Sequence, residues 1–232
     1  LFYIGCVSSL YPRAYTIPQS FIEILEATGV NYTTLGGAEW CCGYPLLTAG
    51  LDISSLIENN INEIKRLGVK KLVATCPSCY HTWREYYPVG EFEVMHATQY
   101  LAELLETGCV PLREVKQRVT YHDPCDLGRK SQEFDAPRRI LTAIPGLEFV
   151  EMTNNRANAI CCGGGGNQES LNPEVSAEVG SHRLAEAQRT GAQLLVSACQ
   201  QCERTLSAAV RRNHVRMKVI DIVEVVRQAL ES

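Results

Sequence analysis

Excess positive charge, long apolar runs and a secretion signal are all missing from this 232-residue sequence, and each absence removes a class of function. Lysine and arginine total 22 against 26 aspartates and glutamates, a net charge of −4, so nothing electrostatic recruits nucleic acid or an anionic membrane surface. The longest apolar stretches, such as KKLVATC and AQLLVSAC, fall far short of the roughly 20 residues that span a bilayer, so no direct membrane insertion is expected. No basic-then-apolar segment opens the chain, and the expected location is the cytoplasm. The sequence begins at Leu1, already inside the apolar run LFYIGC, which is what a fragment, a processed piece or the tail of a longer subunit looks like.

Cysteine, by contrast, is abundant, with eleven residues. Secreted disulfide scaffolds are usually short and loop-rich, whereas this chain is longer and regularly periodic, so metal or redox chemistry is the better expectation. Ten of the eleven fall into two matched sets: Cys6, Cys41, Cys42, Cys76 and Cys79, then Cys125, Cys161, Cys162, Cys199 and Cys202. Corresponding positions are offset by 119, 120 and 123 residues, the mark of an internal duplication, and only Cys109 is left over as a bystander.

The surroundings repeat as well. Each first cysteine ends a short β-type run, LFYIGC or RVTYHDPC, and is followed by an amphipathic helix-length stretch with proline near its start and glycine at its end. Next come a strand candidate (VNYTTL; LEFVEM), the Cys-Cys-Gly loop, a long helix, an apolar strand (VKKLVATC; AQLLVSAC) and a helix beginning inside Cys-x-x-Cys. Each half closes with one more strand and helix. This alternation predicts an α/β fold of two duplicated halves, each a small parallel sheet flanked by helices, related by pseudo-two-fold symmetry. The boundary is expected near residues 110–117, giving domains 1–112 and 113–232, each with its own core. Loops after parallel strands share one edge, where ligands bind, so each half should carry five thiols on one rim. The Cys-x-x-Cys pair sits at a helix N-terminus, where free N–H groups favour an anionic centre.

A structural zinc site needs four ligands, so five is one too many. Adjacent cysteines point apart from one backbone and fit best onto different metal atoms of a polynuclear cluster, which makes iron with sulfide the expected chemistry. Zinc in one half with a spare reactive thiol, and thiol–disulfide chemistry at CPSC, are the alternatives; the latter leaves three cysteines of each set unexplained.

The pattern Cys, about 35 residues, Cys-Cys-Gly, about 35 residues, Cys-x-x-Cys, present twice, resembles the cysteine-rich CCG domain family found in the B component of heterodisulfide reductase and in the C-terminal half of its D component. It is also similar to iron–sulfur subunits of glycolate, lactate and anaerobic glycerol-3-phosphate oxidoreductases. The resemblance implies two noncubane [4Fe-4S] clusters, one held by Cys6, Cys41, Cys42, Cys76 and Cys79, the other by Cys125, Cys161, Cys162, Cys199 and Cys202, with a disulfide cleaved between them. Cys161, Cys162 and His122 are the implied catalytic positions. Two complete motifs favour the heterodisulfide reductase branch over a quinone-linked electron-transfer subunit, and a non-redox zinc scaffold is the third reading. YHDPCDLGR departs from the family in having Asp126 where histidine is frequent, which puts a proton-donor role there in doubt. The sequence has neither a cubane ferredoxin motif nor a convincing dinucleotide fingerprint, so ferredoxin-type iron–sulfur and flavoprotein subunits are the expected partners.

Gly163 to Gly166 lack the lysine of a phosphate-binding loop; close backbone approach to a cluster and N–H donors to its sulfurs explain them better. The first copy, CCGYPL, keeps only Gly43, so Gly43, Gly163 and Gly164 are the expected cofactor-contacting glycines and the second rim the more open one. Trp40, after Glu39, is expected to shield a cluster from water. Arg13 and Arg129 each follow the first cysteine of their half and are candidates for an anionic substrate, against a reading as solvated loop arginines. His81, His96, His182 and His214 have no partners at ligand spacing and read as surface or packing residues.

Overall fold

The computed structural model describes residues 1–90 and 92–230, with the Arg13 side chain outside the described set. The first half runs β1 (Phe2–Tyr3), α1 (Cys6–Leu10), α2 (Thr16–Ala27), α3 (Tyr44–Thr48), α4 (Ser54–Leu67), β2 (Lys71–Ala74), α5 (Pro77–Tyr86), β3 (Glu93–His96) and α6 (Ala97–Glu106). The second runs β4 (Gln117–His122), α7 (Asp135–Ala143), β5 (Leu147–Val150), α8 (Gln168–Leu171), α9 (Pro173–Arg189), β6 (Leu194–Ser197), α10 (Gln200–Arg212), β7 (Lys218–Asp221) and α11 (Ile222–Gln228). Two parallel sheets result, ordered β1-β2-β3 and β5-β4-β6-β7.

The sheets obey one plan. Tyr3, Ala74 and His96 lie side by side at the C-terminal ends of their strands, as do His122, Ser197 and Asp221, so the following loops emerge on one rim of each sheet. Local chemistry fixes where the helices begin and end. His96 and Asp221 cap α6 and α11 through reciprocal capping boxes with Gln99 and Glu224. Gly68, in the left-handed region at φ 62°, stops α4 with its N–H on the Ile64 carbonyl.

Two expectations are corrected. VNYTTL is not a strand: it makes a single ladder-type bond to β1, from Phe2 N–H to the Thr33 carbonyl at 2.9 Å, so the first sheet has three strands where the second has four. The halves also do not have wholly separate cores. Tyr3, Leu72 and Trp83 belong to a cluster of the first half and Leu184, Leu195 and Leu206 to one of the second, but a third cluster joins Phe2, Phe21 and Ile24 to Val119, Ile140 and Val226. The physical cause is helix pairing across the duplication, α2 on α11 and α6 on α7, which removes apolar faces of both halves from water together.

Candidate metal centre

Each half gathers its five cysteines at the rim. Cys6 opens α1, Cys41 and Cys42 lie in the loop before α3, Cys76 caps α5 and Cys79 lies in its first turn. Gly5, at φ 82°, has to be glycine: a Cβ there would sit 3.3 Å from the Cys79 sulfur in a conformation other residues avoid. Glu39 ties this corner together, accepting from the N–H groups of Ile4 at 2.8 Å and Gly5 at 2.7 Å. The second half repeats the arrangement with Cys125 past β4, Cys161 and Cys162 before α8, and Cys199 capping α10, its sulfur accepting from the Cys202 N–H at 3.4 Å.

The thiols touch in the same order in both halves: Cys6 to Cys41, Cys41 to Cys42, Cys42 to Cys79, Cys79 to Cys76, and Cys125 to Cys161, Cys161 to Cys162, Cys162 to Cys202, Cys202 to Cys199. The first cysteine of each pair is the centre of its network. Hydrogen bonds from Cys42 and then Cys6, helped by the Gly43 N–H at 3.4 Å, draw the Cys41 thiol down to about 3. Those from Cys125 and then Cys162, with the Gly163 N–H at 3.2 Å, draw Cys161 down to about 2. Cys6 and Cys125, which share their protons with these sulfurs, are pushed up. All ten are free thiols; among them Cys42, Cys79, Cys162, Cys199 and Cys202 are buried. Five soft sulfur donors around one point suit a polynuclear sulfur-ligated centre better than a four-coordinate ion.

Behind the second set lies a buried polar network. A ring nitrogen of His122 and the sulfurs of Cys162 and Cys202 all lie within 4.8 Å of one another. Arg183, wholly buried, donates Nε–H to His122 Nδ1 at 3.0 Å and pairs through Nη1 with Glu186 at 2.6 Å. Burial, with the Arg183 charge second, pulls His122 down to about 3 and keeps it neutral. Asp123 and Arg138 form a second buried pair at 2.7 Å, and Asp123 also accepts from the Arg156 N–H, fixing the loop that leads to Cys161.

The two rims face each other across one cavity of about 500 Å³, lined by Cys6, Cys42, Cys76 and Cys79 from one side and Cys125, Cys162, Cys199 and Cys202 from the other. Asp126 joins the halves at its wall. This buried carboxylate accepts from Tyr44 Oη at 3.1 Å and Ser78 Oγ at 2.5 Å, both in the first half, and from Lys130 Nζ at 2.8 Å. Gln200 Nε2 adds a buried bond to Thr75 Oγ1 at 2.9 Å. At the mouth, Arg204 is the cation on the cavity lining; its guanidinium lies 3.8 Å from the Tyr11 ring centroid and pairs with Glu169 at 3.1 Å.

Other candidate residues sit as follows. Gly164 lines the cavity and its N–H points to Cys162 Sγ at 3.5 Å. Trp40 is 48% exposed and does not line the cavity; its visible contact is a carbonyl that accepts from Tyr3 Oη. The second rim's openness rests on Gly164 to Gly166, while Tyr44 and Pro45 occupy the corresponding place on the first. Arg129 donates to the Ala159 carbonyl at 2.6 Å, clamping the loop before Cys161 rather than facing the cavity. The Arg13 side chain lies outside the described residues. Cys109 is exposed and remote from both sets. His182 and His214 are exposed, His81 is partly buried, and His96 is a buried helix cap. Arg204, Tyr44, Ser78 and Lys130 escaped the sequence reading; the available signal for Arg204 was its place two residues after Cys202, in the opening turn of α10.

The family profile described as a cysteine-rich domain, CCG, matches residues 1–84 and again residues 119–207. The chain belongs to the cysteine-rich CCG domain family. It is 34% identical, over 99% of its length, to the D component of the dihydromethanophenazine:CoB–CoM heterodisulfide reductase of Methanosarcina barkeri, of which it covers 58%. It is 32% identical over 99% of its length to a probable iron–sulfur-binding oxidoreductase, FadF, of Bacillus subtilis, and 30% identical over its whole length to an EtfAB:quinone oxidoreductase of Syntrophomonas wolfei, covering 34% of each. This CCG chain thus spans about half or less of these relatives. Among its described residues no helix is long and apolar enough to cross a membrane.

Proposed function

We propose that the chain is the disulfide-reducing iron–sulfur part of a heterodisulfide reductase-like complex, with one noncubane [4Fe-4S] cluster on each five-cysteine set. The observation that carries this reading is the single cavity walled by both sets: a sulfur–sulfur bond lodged there has cysteine ligands of one site on either side. Cys6, Cys41, Cys42, Cys76 and Cys79 would hold one cluster and Cys125, Cys161, Cys162, Cys199 and Cys202 the other. The clusters would supply electrons singly and an iron on each side for a product sulfur.

The chain's own residues supply the rest. Leu10, Tyr11 and Pro45 give the cavity apolar wall, and Arg204 offers a charge to an anionic group of the disulfide. Cleavage to two thiols consumes two electrons and two protons. The electrons come from partner redox subunits, since the relatives named as reductase and oxidoreductase components extend well beyond the matching region. A proton route is supported by the chain from Lys130, 44% exposed, to Tyr44 Oη at 2.8 Å, on to Asp126 Oδ1 and then Ser78 Oγ, the last three lining the cavity. Burial raises Tyr44, and the Asp126 carboxylate and Tyr44 hydroxyl together raise Lys130, so both keep their protons at neutral pH.

The 30% identity to an EtfAB:quinone oxidoreductase favours a second reading, an electron-transfer chain between a flavoprotein and quinone without a disulfide site. Anaerobic single-turnover assays separate the two: reduced, cluster-loaded protein should be reoxidised by a small-molecule disulfide with release of two thiols per disulfide. Reoxidation by quinone alone would favour the second reading.

A further inference from the structure

His122 and the residues behind it assign the second cysteine set a property the first lacks. Arginine can only donate hydrogen bonds, so the 3.0 Å contact from Arg183 Nε requires a lone pair on His122 Nδ1 and places the ring proton on Nε2. Glu186 holds Arg183 in place, and Arg183 Nη1 also reaches the Asn154 carbonyl at 2.8 Å, so the donor cannot swing away. Nε2 is buried and has no protein partner. With Nδ1 engaged, it is the nitrogen free to serve Cys162 and Cys202, whose sulfurs lie within 4.8 Å of the ring.

The first half is built differently at the same register position. Tyr3 stands where His122 does, but its hydroxyl proton goes to the Trp40 carbonyl at 2.5 Å and is not available to Cys42 or Cys79. We propose that His122 donates an Nε2 hydrogen bond to the second cluster site, with Arg183 as the positioning residue that fixes its tautomer, and thereby raises the reduction potential of that site alone. A donor to a ligand or cluster sulfur stabilises the form carrying the additional electron. Iron ligation by Nε2 is disfavoured on the same ground, because it would put the ring proton on Nδ1, facing the Arg183 N–H.

The inference rests on the reading of the second set as a cluster site, and the experiment separates the two. Wild-type protein labelled with ¹⁵N-histidine is loaded anaerobically with iron and sulfide, titrated with dithionite and mediators, and followed by paramagnetic resonance and electron spin echo modulation. A weak nitrogen coupling at one of two clusters is expected, of the size of a hydrogen bond and lost in His122→Met. No coupling, or one of the size of direct ligation, overturns the proposal. The His122→Met potential at that cluster should fall by the equivalent of at least a tenfold change in a one-electron equilibrium, about 59 mV. His122→Gln, which keeps an N–H donor, should recover part of the shift, and the other cluster should not move. An unchanged potential with both clusters present overturns the proposal and leaves the cluster reading standing, whereas protein that takes up no iron and sulfide removes both.

Discussion

At the scale of single residues the cysteine spacing carries nearly everything. Ten thiols can be placed from sequence because backbone distance along strand–loop–helix units determines which rim they reach, and the structure brings each set of five into one contact chain. The partners of those thiols were not legible. Asp126 finds Tyr44 and Ser78 across the duplication, and Arg183 reaches His122 over 61 residues, contacts that no local pattern encodes. Replacing Cys161 with serine removes the central sulfur of its network and should halve the bound iron and acid-labile sulfide, measured on anaerobically loaded protein. A second residue-level expectation concerns His96, whose Nδ1 accepts the Thr98 N–H and whose Nε2 meets the Thr75 carbonyl. Burial lowers it to about 3, below the ordinary value of 6.5, so the native state resists protonation that the unfolded chain accepts. Its stabilising effect is therefore present above pH 6.5 and is lost as pH falls towards 3, at about 1.4 kcal/mol per pH unit. Denaturant melts at pH 6.5 and 5.5 should show a loss smaller by about that amount in His96→Asn.

At the scale of elements, the alternation of apolar strands with helical periodicity was readable, and proline and glycine marked helix ends: Pro77 opens α5 and Gly68 stops α4. VNYTTL misled because its residue types suit a strand while its backbone makes only the Phe2–Thr33 bond of a ladder. The Cys-Cys-Gly-Gly loop owes its form to helix packing as well as to sulfur. A Cβ on Gly163, at φ 90°, would run into the Ser176 carbonyl on α9, and one on Gly164 into Thr205 Oγ1 on α10, whereas Gly165 has open space. Gly164→Ala should therefore cost about 1–3 kcal/mol through overpacking, and Gly163→Ala more because of its positive φ, while Gly165→Ala should be close to neutral. Thermal melts of the three variants check the order.

At the scale of the molecule, two duplicated rims form one site because helices of the two halves share a core and Asp126 ties the rims together. Sequence periodicity shows that a helix has an apolar face without showing which half covers it, so the shared cluster of Phe21, Ile140 and Val226 was out of reach. Asp126→Ala leaves Lys130, Tyr44 and Ser78 without their common acceptor and should cost about 1–3 kcal/mol. Calorimetry should show a lowered but single transition, because the common core keeps the halves cooperative. The central claim, that both cluster sites address one disulfide in the cavity between them, is tested most directly by adding a ³³S-labelled thiol to oxidised, cluster-loaded protein and recording its paramagnetic spectrum. The account predicts ³³S hyperfine broadening of a cluster signal, reduced when Arg204 is replaced by alanine and the thiol carries an anionic group. A cluster signal that no thiol perturbs would contradict it.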